Sequence, residues 1–257
     1  MNKSIQKILL TLTTFLIFIA IWQAYVLIFN IPVHVLPSPF SFFSQLVEYF
    51  RADYIYSHIA TTLYEICVGF LIGTILGLLV GYIVAKSRLI ERMITPYMVL
   101  IQTIPKISIA PLFLLWFGLG VSSKIALVIV VVFFPIMINF VVGIRSVDKN
   151  MQNLLTILRV NRWIKFTSIE LPNSLPFVMS GIKASTTYAI TGAVIGELIG
   201  AQSGLGYLLT LGSETYDINL ILTAVLTLSF IGLILYLILE FLEKKLIHWN
   251  KSEGLNL

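Results

Sequence analysis

The chain has 257 residues, of which 58% are hydrophobic and only 11% are charged. An average soluble domain is about 25% charged, so this chain has too few polar groups to cover a water-exposed surface. The composition argues against a soluble enzyme or binding module and predicts a polytopic membrane protein. The net charge of +5 could suggest nucleic-acid binding in a soluble protein. Here it is better explained by membrane topology, because the basic residues stand in short gaps between apolar runs.

Six apolar runs are long enough to cross a bilayer, which takes ~20 helical residues. The first follows Lys3 and Lys7 and is too long for the apolar region of a cleaved signal peptide, so we predict an uncleaved span. The fifth contains Lys183 and Glu197 and is expected to face protein or a cavity rather than lipid. We therefore predict an all-α fold in which residues 1–257 form one transmembrane domain. The predicted spans are 8–29, 60–85, 94–117, 124–145, 175–200 and 219–242.

The basic residues also predict the orientation of the spans. With a cytoplasmic N-terminus, 13 of the 17 Lys and Arg residues fall on the inner side, and the outer gaps hold only Arg51 and Lys124. This asymmetry is a strong positive-inside signal and places both termini in the cytoplasm. The inner residues are Lys3, Lys7, Lys86, Arg88, Arg92, Arg145, Lys149, Arg159, Arg162, Lys165, Lys244, Lys245 and Lys251.

A short amphipathic helix is predicted between the first two spans. It could lie at the outer membrane interface or pack as a lid on the other helices, and the pattern does not separate the two. The apolar residues that recur there at helical spacing are Phe42, Phe43, Leu46, Val47 and Phe50.

Two of the predicted spans carry glycines four residues apart. Residues at this spacing share one helix face, and glycine there lets a second backbone approach closely. The pattern therefore predicts tight helix–helix contacts rather than a substrate site. The glycines are Gly69, Gly73, Gly77 and Gly81 in the second span and Gly192, Gly196 and Gly200 in the fifth.

No catalytic or nucleotide-binding motif stands out in the sequence. There is no G-x-x-x-x-G-K-[ST] phosphate loop and no H-E-x-x-H or paired-cysteine metal spacing. The histidines His34, His58 and His248 are scattered along the chain. We therefore predict that this chain is not an enzyme and holds no metal.

The longest predicted cytoplasmic loop, about residues 146–174, contains two short amphipathic helices separated by a break near Asn161. Such helices with basic edges suit docking into a groove of a soluble partner, but a hairpin that only covers the inner end of the bundle would show the same pattern. The two apolar faces are formed by Leu154, Leu155 and Leu158, and by Trp163, Phe166 and Ile169.

This loop resembles the cytoplasmic coupling loop of bacterial ABC importer permeases, whose signature is E-A-A, then a Gly, then a later L-P. Leu171-Pro172 matches the end of the signature, and the register from Asp148 to Trp163 matches its beginning. The chain departs from the signature at Asn153, where Glu is usual, and at Arg159, where Gly is usual. Because Arg159 lacks glycine's freedom at positive φ, the inter-helix turn is expected to differ or to be strained. The coupling residues that the resemblance implies are Asn153, Leu154, Leu155, Leu158, Arg159, Arg162, Leu171 and Pro172.

Five further segments are similar to one branch of these permeases, the group that imports nitrate, sulfonates, taurine and thiamine-precursor pyrimidines. Within that branch, residues 187–197 look most like permeases for hydroxymethylpyrimidine-type thiamine precursors. The segments are LPSP at 36–39, QTIPK at 102–106, PLFLLWFG at 111–118, FFP at 133–135 and SGLGY at 203–207.

The resemblance implies the architecture of a type I ABC importer permease in the cell membrane. Such a permease is expected to be a homodimer of six-span subunits, with two ATPase subunits below it and an extracytoplasmic substrate-binding protein above it. ATP and Mg would be held by the ATPase, so no cofactor is expected in this chain.

The predicted spans place charged residues inside the bilayer, among them Lys106 in the third span, Glu65 in the second and Glu197 in the fifth. Each costs ~2.5–3.5 kcal/mol on insertion scales and is expected to face the bundle interior or water. One hypothesis is that Lys106 and Glu197 line a substrate path. The alternative is a structural ion pair of Lys106 with Glu65 or Glu197.

The candidate path also includes Gln102, Thr103 and Tyr188, which stand in segments that carry the resemblance. Pro105 and Pro111 are expected to break the third helix and to free carbonyl groups nearby.

A second functional hypothesis is a secondary transporter driven by an ion gradient. It would use Glu65, Glu197 and Lys106 as a proton or ion relay. An adjacent ATPase gene would favour the ABC importer, whereas transport by the chain alone would favour the secondary transporter.

Overall fold

A computed structural model of the protein describes residues 3–247, and over that range it consists of helices and connecting turns without strands. The predicted all-α fold is confirmed. Lys251 and His248 lie outside the described residues. The helices are α1 (Lys3–Ile28), α2 (Pro39–Arg51), α3 (Tyr54–Lys86), α4 (Arg88–Thr103), α5 (Lys106–Phe117), α6 (Val121–Arg145), α7 (Lys149–Ile157), α8 (Arg162–Lys165), a π-helical turn (Phe166–Glu170), α9 (Leu171–Leu198), α10 (Leu205–Glu214) and α11 (Ile218–Leu246).

Four helices, α1, α3, α6 and α11, are each long and apolar enough to cross a membrane. The helices α4 and α5 meet the same test only as a pair, and they are bent by 97° relative to each other. With 28 residues, α9 is ~42 Å long and could span the bilayer, but its composition is more polar, as the sequence predicts. The count of six spans therefore stays a prediction.

The third span, predicted over 94–117 with a break at its prolines, is divided into α4 and α5. The helix stops at Thr103, and Ile104 is extended, with ψ at 126°. The cause is Pro105, which lacks a backbone N–H and disfavours the helical conformation of the residue before it. Pro111 lies inside α5 without ending it, so only one of the two expected proline breaks is present.

The core of the bundle is α6, which packs between α3 and α9. Close approach is possible because α3 presents its four spaced glycines to α6. A Cβ at Gly69 would lie 2.5 Å from Val128 Cβ, and one at Gly192 would lie 2.9 Å from Val131 Cγ2. The predicted tight contacts are confirmed. Gly200 is different, because it lies beyond the end of α9 with φ at 96° and forms part of a turn.

The predicted amphipathic helix is α2, and it packs on the other helices as one of the two expected arrangements requires, whereas its position at the outer membrane interface stays a prediction. One face packs on the bundle, with Phe42 buried and the Tyr49 hydroxyl donating to Asp217 Oδ2 at 2.5 Å. The other face is exposed, and Phe40 on it is 84% exposed. Trp22 Nε1 donates to Pro37 O at 3.0 Å, which ties α1 to the start of α2.

Candidate functional site

The predicted coupling loop forms a helical hairpin, which we call the inner hairpin and define as residues 149–165. We call the end of the bundle that carries it the inner end, and the opposite end the outer end. Asp148 caps α7 by accepting from Asn150 N at 2.8 Å and Met151 N at 3.2 Å. Asn161 caps α8 by accepting from Trp163 N at 3.0 Å. Short polar side chains at both helix starts therefore shape the hairpin.

The turn between α7 and α8 has the hydrogen bonds of a glycine-type helix ending, with Arg159 in the glycine position. Arg159 N donates to Thr156 O at 3.2 Å, and Val160 N donates to Leu155 O at 3.1 Å. Arg159 itself has φ at 48°, a left-handed conformation that costs a residue with a Cβ atom ~1–2 kcal/mol. The turn therefore keeps the shape that glycine favours and is strained, which confirms one of the two outcomes expected from the sequence.

The inner hairpin presents large apolar side chains away from the bundle. Ile157, Leu158 and Trp163 are 78%, 63% and 71% exposed, whereas Leu155 is only 7% exposed and points inward. An exposed apolar cluster of this kind marks an interaction surface. This geometry favours docking of a partner over a hairpin that only covers the bundle.

The other predicted coupling residues fall into two groups. Asn153, Leu154 and Arg162 are exposed on the hairpin, whereas Leu171 and Pro172 are half-buried at the start of α9. Asn173, the next residue, donates through Nδ2 to Ser146 Oγ at 2.7 Å and to Gly143 O at 3.2 Å. The L-P end of the motif therefore lies where the hairpin is anchored to the bundle.

Three of the predicted path residues, Gln102, Lys106 and Tyr188, line one cavity of about 140 Å³ beside the break between α4 and α5. Lys106 is exposed, and its Nζ donates to Gln102 O at 2.9 Å. This carbonyl is available because Pro105 interrupts the helix, as predicted. Thr103 is exposed at the end of α4 but donates its hydroxyl to Leu100 O at 2.7 Å, and it does not line the cavity.

Glu197 has a different set of partners. It is 1% exposed and accepts from Thr62 Oγ1 at 2.6 Å and from Gly206 N at 2.6 Å. A path role for Glu197 stays a prediction, because nothing in this arrangement places it in the cavity beside Lys106. The alternative ion pair is not formed, since within residues 3–247 neither Glu65 nor Glu197 pairs with Lys106.

The buried end of α9 is part of a polar cluster, which we call the outer clamp and define as His58, Thr62, Glu197 and the N–H groups of residues 204–206. Gly204 N donates to His58 Nδ1 at 3.1 Å, and Leu205 N donates to Thr62 Oγ1 at 2.8 Å. The clamp fixes the outer loop, residues 199–204, to α3. A Cβ atom at Gly204 would overlap the Glu197 carboxylate, so the loop has room only for glycine there.

The sequence analysis missed His58 and Thr62 as site residues. Their spacing was the available signal, since residues 58, 62 and 65 share one face of α3 and all three are buried. One oxygen of Glu65, Oε2, is buried without a hydrogen-bond partner. Lys124 is also buried and donates to the carbonyl oxygens of Leu119 and Gly120.

Ion pairs join the helices at the inner end. Lys86 Nζ lies 2.5 Å from Glu170 Oε2, and Arg145 pairs with Glu91. Lys183, the other lysine predicted within a span, pairs with Glu243 at 2.6 Å. It is therefore a link between α9 and α11 rather than an isolated intramembrane charge.

The chain matches a family model described as "Binding-protein-dependent transport system inner membrane component" over residues 73–248. It is 34% identical to the riboflavin transport system permease protein RibX of Chloroflexus aurantiacus over 239 residues, which cover 93% of this chain and 89% of that protein.

Two further relatives carry other substrate names. The putative aliphatic sulfonates transport permease protein SsuC of Bacillus subtilis is 30% identical over 92% of this chain and 86% of its own length. The formylaminopyrimidine transport permease protein ThiX of Halalkalibacterium halodurans is 29% identical over 98% of this chain and 100% of its own length.

Proposed function

The chain belongs to the family of binding-protein-dependent transport system inner membrane components, and we propose that it imports a pyrimidine-type thiamine precursor or, failing that, a sulfonate, taurine or nitrate. At the coarser level the chain is a multi-pass ABC importer permease for a small solute and a transport subunit rather than an enzyme. The predicted resemblance to this branch is confirmed.

The observation that supports a path for a small polar solute is the cavity beside the α4–α5 break. It brings together a cation at Lys106, an amide at Gln102 and an aromatic hydroxyl at Tyr188. Such groups can hydrogen-bond the polar edge of a ring or pair with an anionic group. The full-length match to a protein named for formylaminopyrimidine supports the pyrimidine proposal, and the sulfonate relative supports the alternative.

We also propose the arrangement of the whole transporter. A partner ATPase holds ATP and Mg and binds the inner hairpin, where Ile157, Leu158 and Trp163 are exposed. Two copies of this chain form the path, both termini lie in the cytoplasm, and an extracytoplasmic binding protein delivers the solute to the outer end. This chain then needs no cofactor of its own.

The ion-gradient alternative is not favoured. It requires Glu65, Glu197 and Lys106 to act as one relay. Glu197 is buried in the outer clamp and Glu65 is buried beside it, whereas Lys106 is exposed beside the α4–α5 break and donates to Gln102 O.

Reconstitution into liposomes tests the proposal. The chain is purified with its partner ATPase and binding protein, and uptake of labelled hydroxymethylpyrimidine, taurine and nitrate is measured with and without ATP. We expect ATP-dependent uptake of the pyrimidine, and liposomes that hold the chain alone serve as the control. Uptake by the chain alone under an ion gradient would contradict the importer, whereas ATP-dependent uptake of taurine only would contradict the substrate proposal.

A further inference from the structure

The helices α3 and α9 are tied to each other at both ends. The outer clamp joins Thr62 of α3 to Glu197 of α9 at 2.6 Å. At the other end, Lys86 of α3 pairs with Glu170, the last residue of the π-helical turn that leads into α9, at 2.5 Å. The two ties are separated by 24 residues of α3, which is ~36 Å along a helix, a distance comparable to the ~30 Å thickness of a bilayer core.

The inner tie is more than one ion pair, and we call it the inner clamp. The Glu170 side chain is 8% exposed, and Lys165 approaches its other oxygen at 3.8 Å. The rings of Tyr82 and Phe166 meet edge to face at 4.8 Å, with Lys86 Nζ 5.2 Å from the Tyr82 ring and 5.8 Å from the Phe166 ring. The clamp therefore grips the segment that joins the inner hairpin to α9.

Between the two clamps there is no break in α3 and little room for sliding. The helix continues from Tyr54 to Lys86 and packs its glycine face on α6, where added Cβ atoms at Gly73 and Gly77 would lie 3.0 and 2.9 Å from backbone oxygens of α6. On the other side of α6, a Cβ at Gly196 would lie 2.8 Å from Lys124 Cγ. Packed elements of this kind shift as a unit rather than deform continuously.

The helix α5 contacts α6 and α9, and α4 contacts α3, but these contacts are much smaller than those that α3 and α9 make with α6. The helices α4 and α5 are separated by the break at Ile104-Pro105 and bent by 97°, and residues 99–108 are exposed. The ion pair between Glu91 and Arg145 joins the first turn of α4 to α6. The break is therefore the point at which the α4–α5 segment can move relative to the rest.

We propose that Lys86 and Glu170 are positioning residues that carry displacement of the inner hairpin through α3 and α9 to the outer loop. The hairpin, the clamped helices and the outer loop then move as one body, and the flexing occurs at the α4–α5 break that borders the cavity. This inference rests on the proposed function, because a partner ATPase must supply the displacement. An ion pair that only stabilised the fold could be removed without affecting movement of the outer loop, whereas a positioning role requires that this movement decrease.

The test uses the complete complex with its ATPase in lipid nanodiscs. The only cysteine is removed as Cys67→Ser, and a fluorophore is attached at Gln202→Cys, an exposed position in the outer loop. The measured quantity is the change in emission when ATP and Mg are added. We expect a clear change in this parent, and a change at least threefold smaller with Lys86→Met, while the ATPase stays bound. The conservative variant Lys86→Arg is expected to restore the response, because arginine can pair with the carboxylate.

A matched control is Lys244→Met, which removes the 2.6 Å ion pair between the exposed Lys244 and Glu240 within α11 and is expected to leave the response unchanged. If Lys86→Met does not assemble, Glu170→Gln removes the charge and keeps the shape, and the same reduction is expected. A full response in the Lys86 variant would overturn the inference, as would a parent that hydrolyses ATP without any response at Gln202→Cys. Failure of any ATPase to bind the parent would instead overturn the proposed function.

Discussion

Thr62 in α3 joins Glu197 in α9 to the start of α10 through a single hydroxyl group. The hydroxyl donates to Glu197 Oε1 at 2.6 Å and accepts from Leu205 N at 2.8 Å. Thr62 is fully buried, so water cannot replace either bond. The outer loop therefore depends on a side chain from a helix that is 135 residues away from Glu197 in the sequence.

Replacing Thr62 with valine keeps the shape of the side chain but removes the hydroxyl. The N–H of Leu205 and one oxygen of Glu197 would then each lose a buried hydrogen bond, which lowers the free energy of unfolding by about 2–3 kcal/mol. We expect a clear fall in the thermal unfolding midpoint of the purified complex. The control is Thr61→Val, because the Thr61 hydroxyl only donates to Ser57 O of its own helix, at 3.0 Å. Equal midpoints for the two variants would contradict the clamp.

Arg159→Gly is expected to stabilise the inner hairpin. Arg159 has φ at 48°, and glycine adopts this conformation without steric strain, so the gain should be about 1 kcal/mol after the greater flexibility of glycine in the unfolded chain is counted. Hydrogen exchange of the Val160 amide, which bonds Leu155 O at 3.1 Å, should become slower. Arg159→Ala is the control, because it removes the side chain but keeps the Cβ atom. If both variants slow exchange equally, strain is not the cause.

The sequence predicted those parts of the fold that depend on local composition. The spans α3, α6 and α11 are apolar enough to be recognised directly, and glycine spacing identified the face of α3 that packs on α6. The prediction started α3 at 60 rather than Tyr54, because the first turns include His58 and other polar residues. Of these residues His58 accepts from Gly204 N of the outer loop, a tertiary contact that the hydropathy of the sequence does not reveal.

The candidate site was predicted only where its residues are close to one another in the sequence. Gln102 and Lys106 are close in sequence, and the proline between them signalled an interruption of the helix. The partners of Glu197 could not be predicted, because Thr62 and Gly206 are brought to it by tertiary packing. An intramembrane charge signals that some polar partner exists, but the signal does not distinguish a solute path from a loop anchor.

Trp163→Ala is expected to weaken binding of the partner ATPase. Trp163 is 71% exposed on the inner hairpin, and a tryptophan that becomes buried at an interface often contributes ~2 kcal/mol or more. We therefore expect at least a ~30-fold rise in the dissociation constant, measured by titration of the ATPase onto the chain in nanodiscs. Trp116→Ala is the matched control, since Trp116 is 62% exposed but lies at the end of α5, away from the hairpin. Unchanged affinity for the Trp163 variant would place the ATPase elsewhere.

Tyr49→Phe is expected to loosen α2 from the bundle, because the Tyr49 hydroxyl donates to Asp217 at 2.5 Å. The loss should be about 1–2 kcal/mol, seen as faster proteolysis near Arg51. Burial raises the pKa of Tyr49 above its ordinary value of 10.0, and the Asp217 carboxylate raises it further.

This pKa shift predicts how docking of α2 depends on pH. The folded-state pKa lies above the unfolded one, so the stability from this hydrogen bond is fully present below pH 10 and is lost as the pH rises above it. The rate of proteolysis of the wild-type chain should therefore be constant from pH 6 to 9. The Tyr49→Phe variant should be cleaved faster than the wild type, and its rate should also be constant over this range. A rise in wild-type proteolysis between pH 6 and 9 would show that a titratable group other than Tyr49 controls the docking of α2.

Lys106→Met separates a path role from a structural one. Lys106 is exposed and hydrogen-bonds only Gln102 O of its own helix break, at 2.9 Å, so the change should leave the unfolding midpoint of the complex nearly unaltered. If Lys106 contacts the solute, ATP-dependent uptake should fall about tenfold or more, because a charge-assisted hydrogen bond is lost.

Lys183→Met is the comparison, because Lys183 joins α9 to α11 through Glu243 at 2.6 Å and does not line the cavity. That variant should lose stability and, once folded, retain most of its transport. The opposite result, normal transport with lowered stability in Lys106→Met, would show that Lys106 supports the fold. It would also remove the cation from the proposed path, leaving Gln102 and Tyr188 as the remaining polar groups that line the cavity.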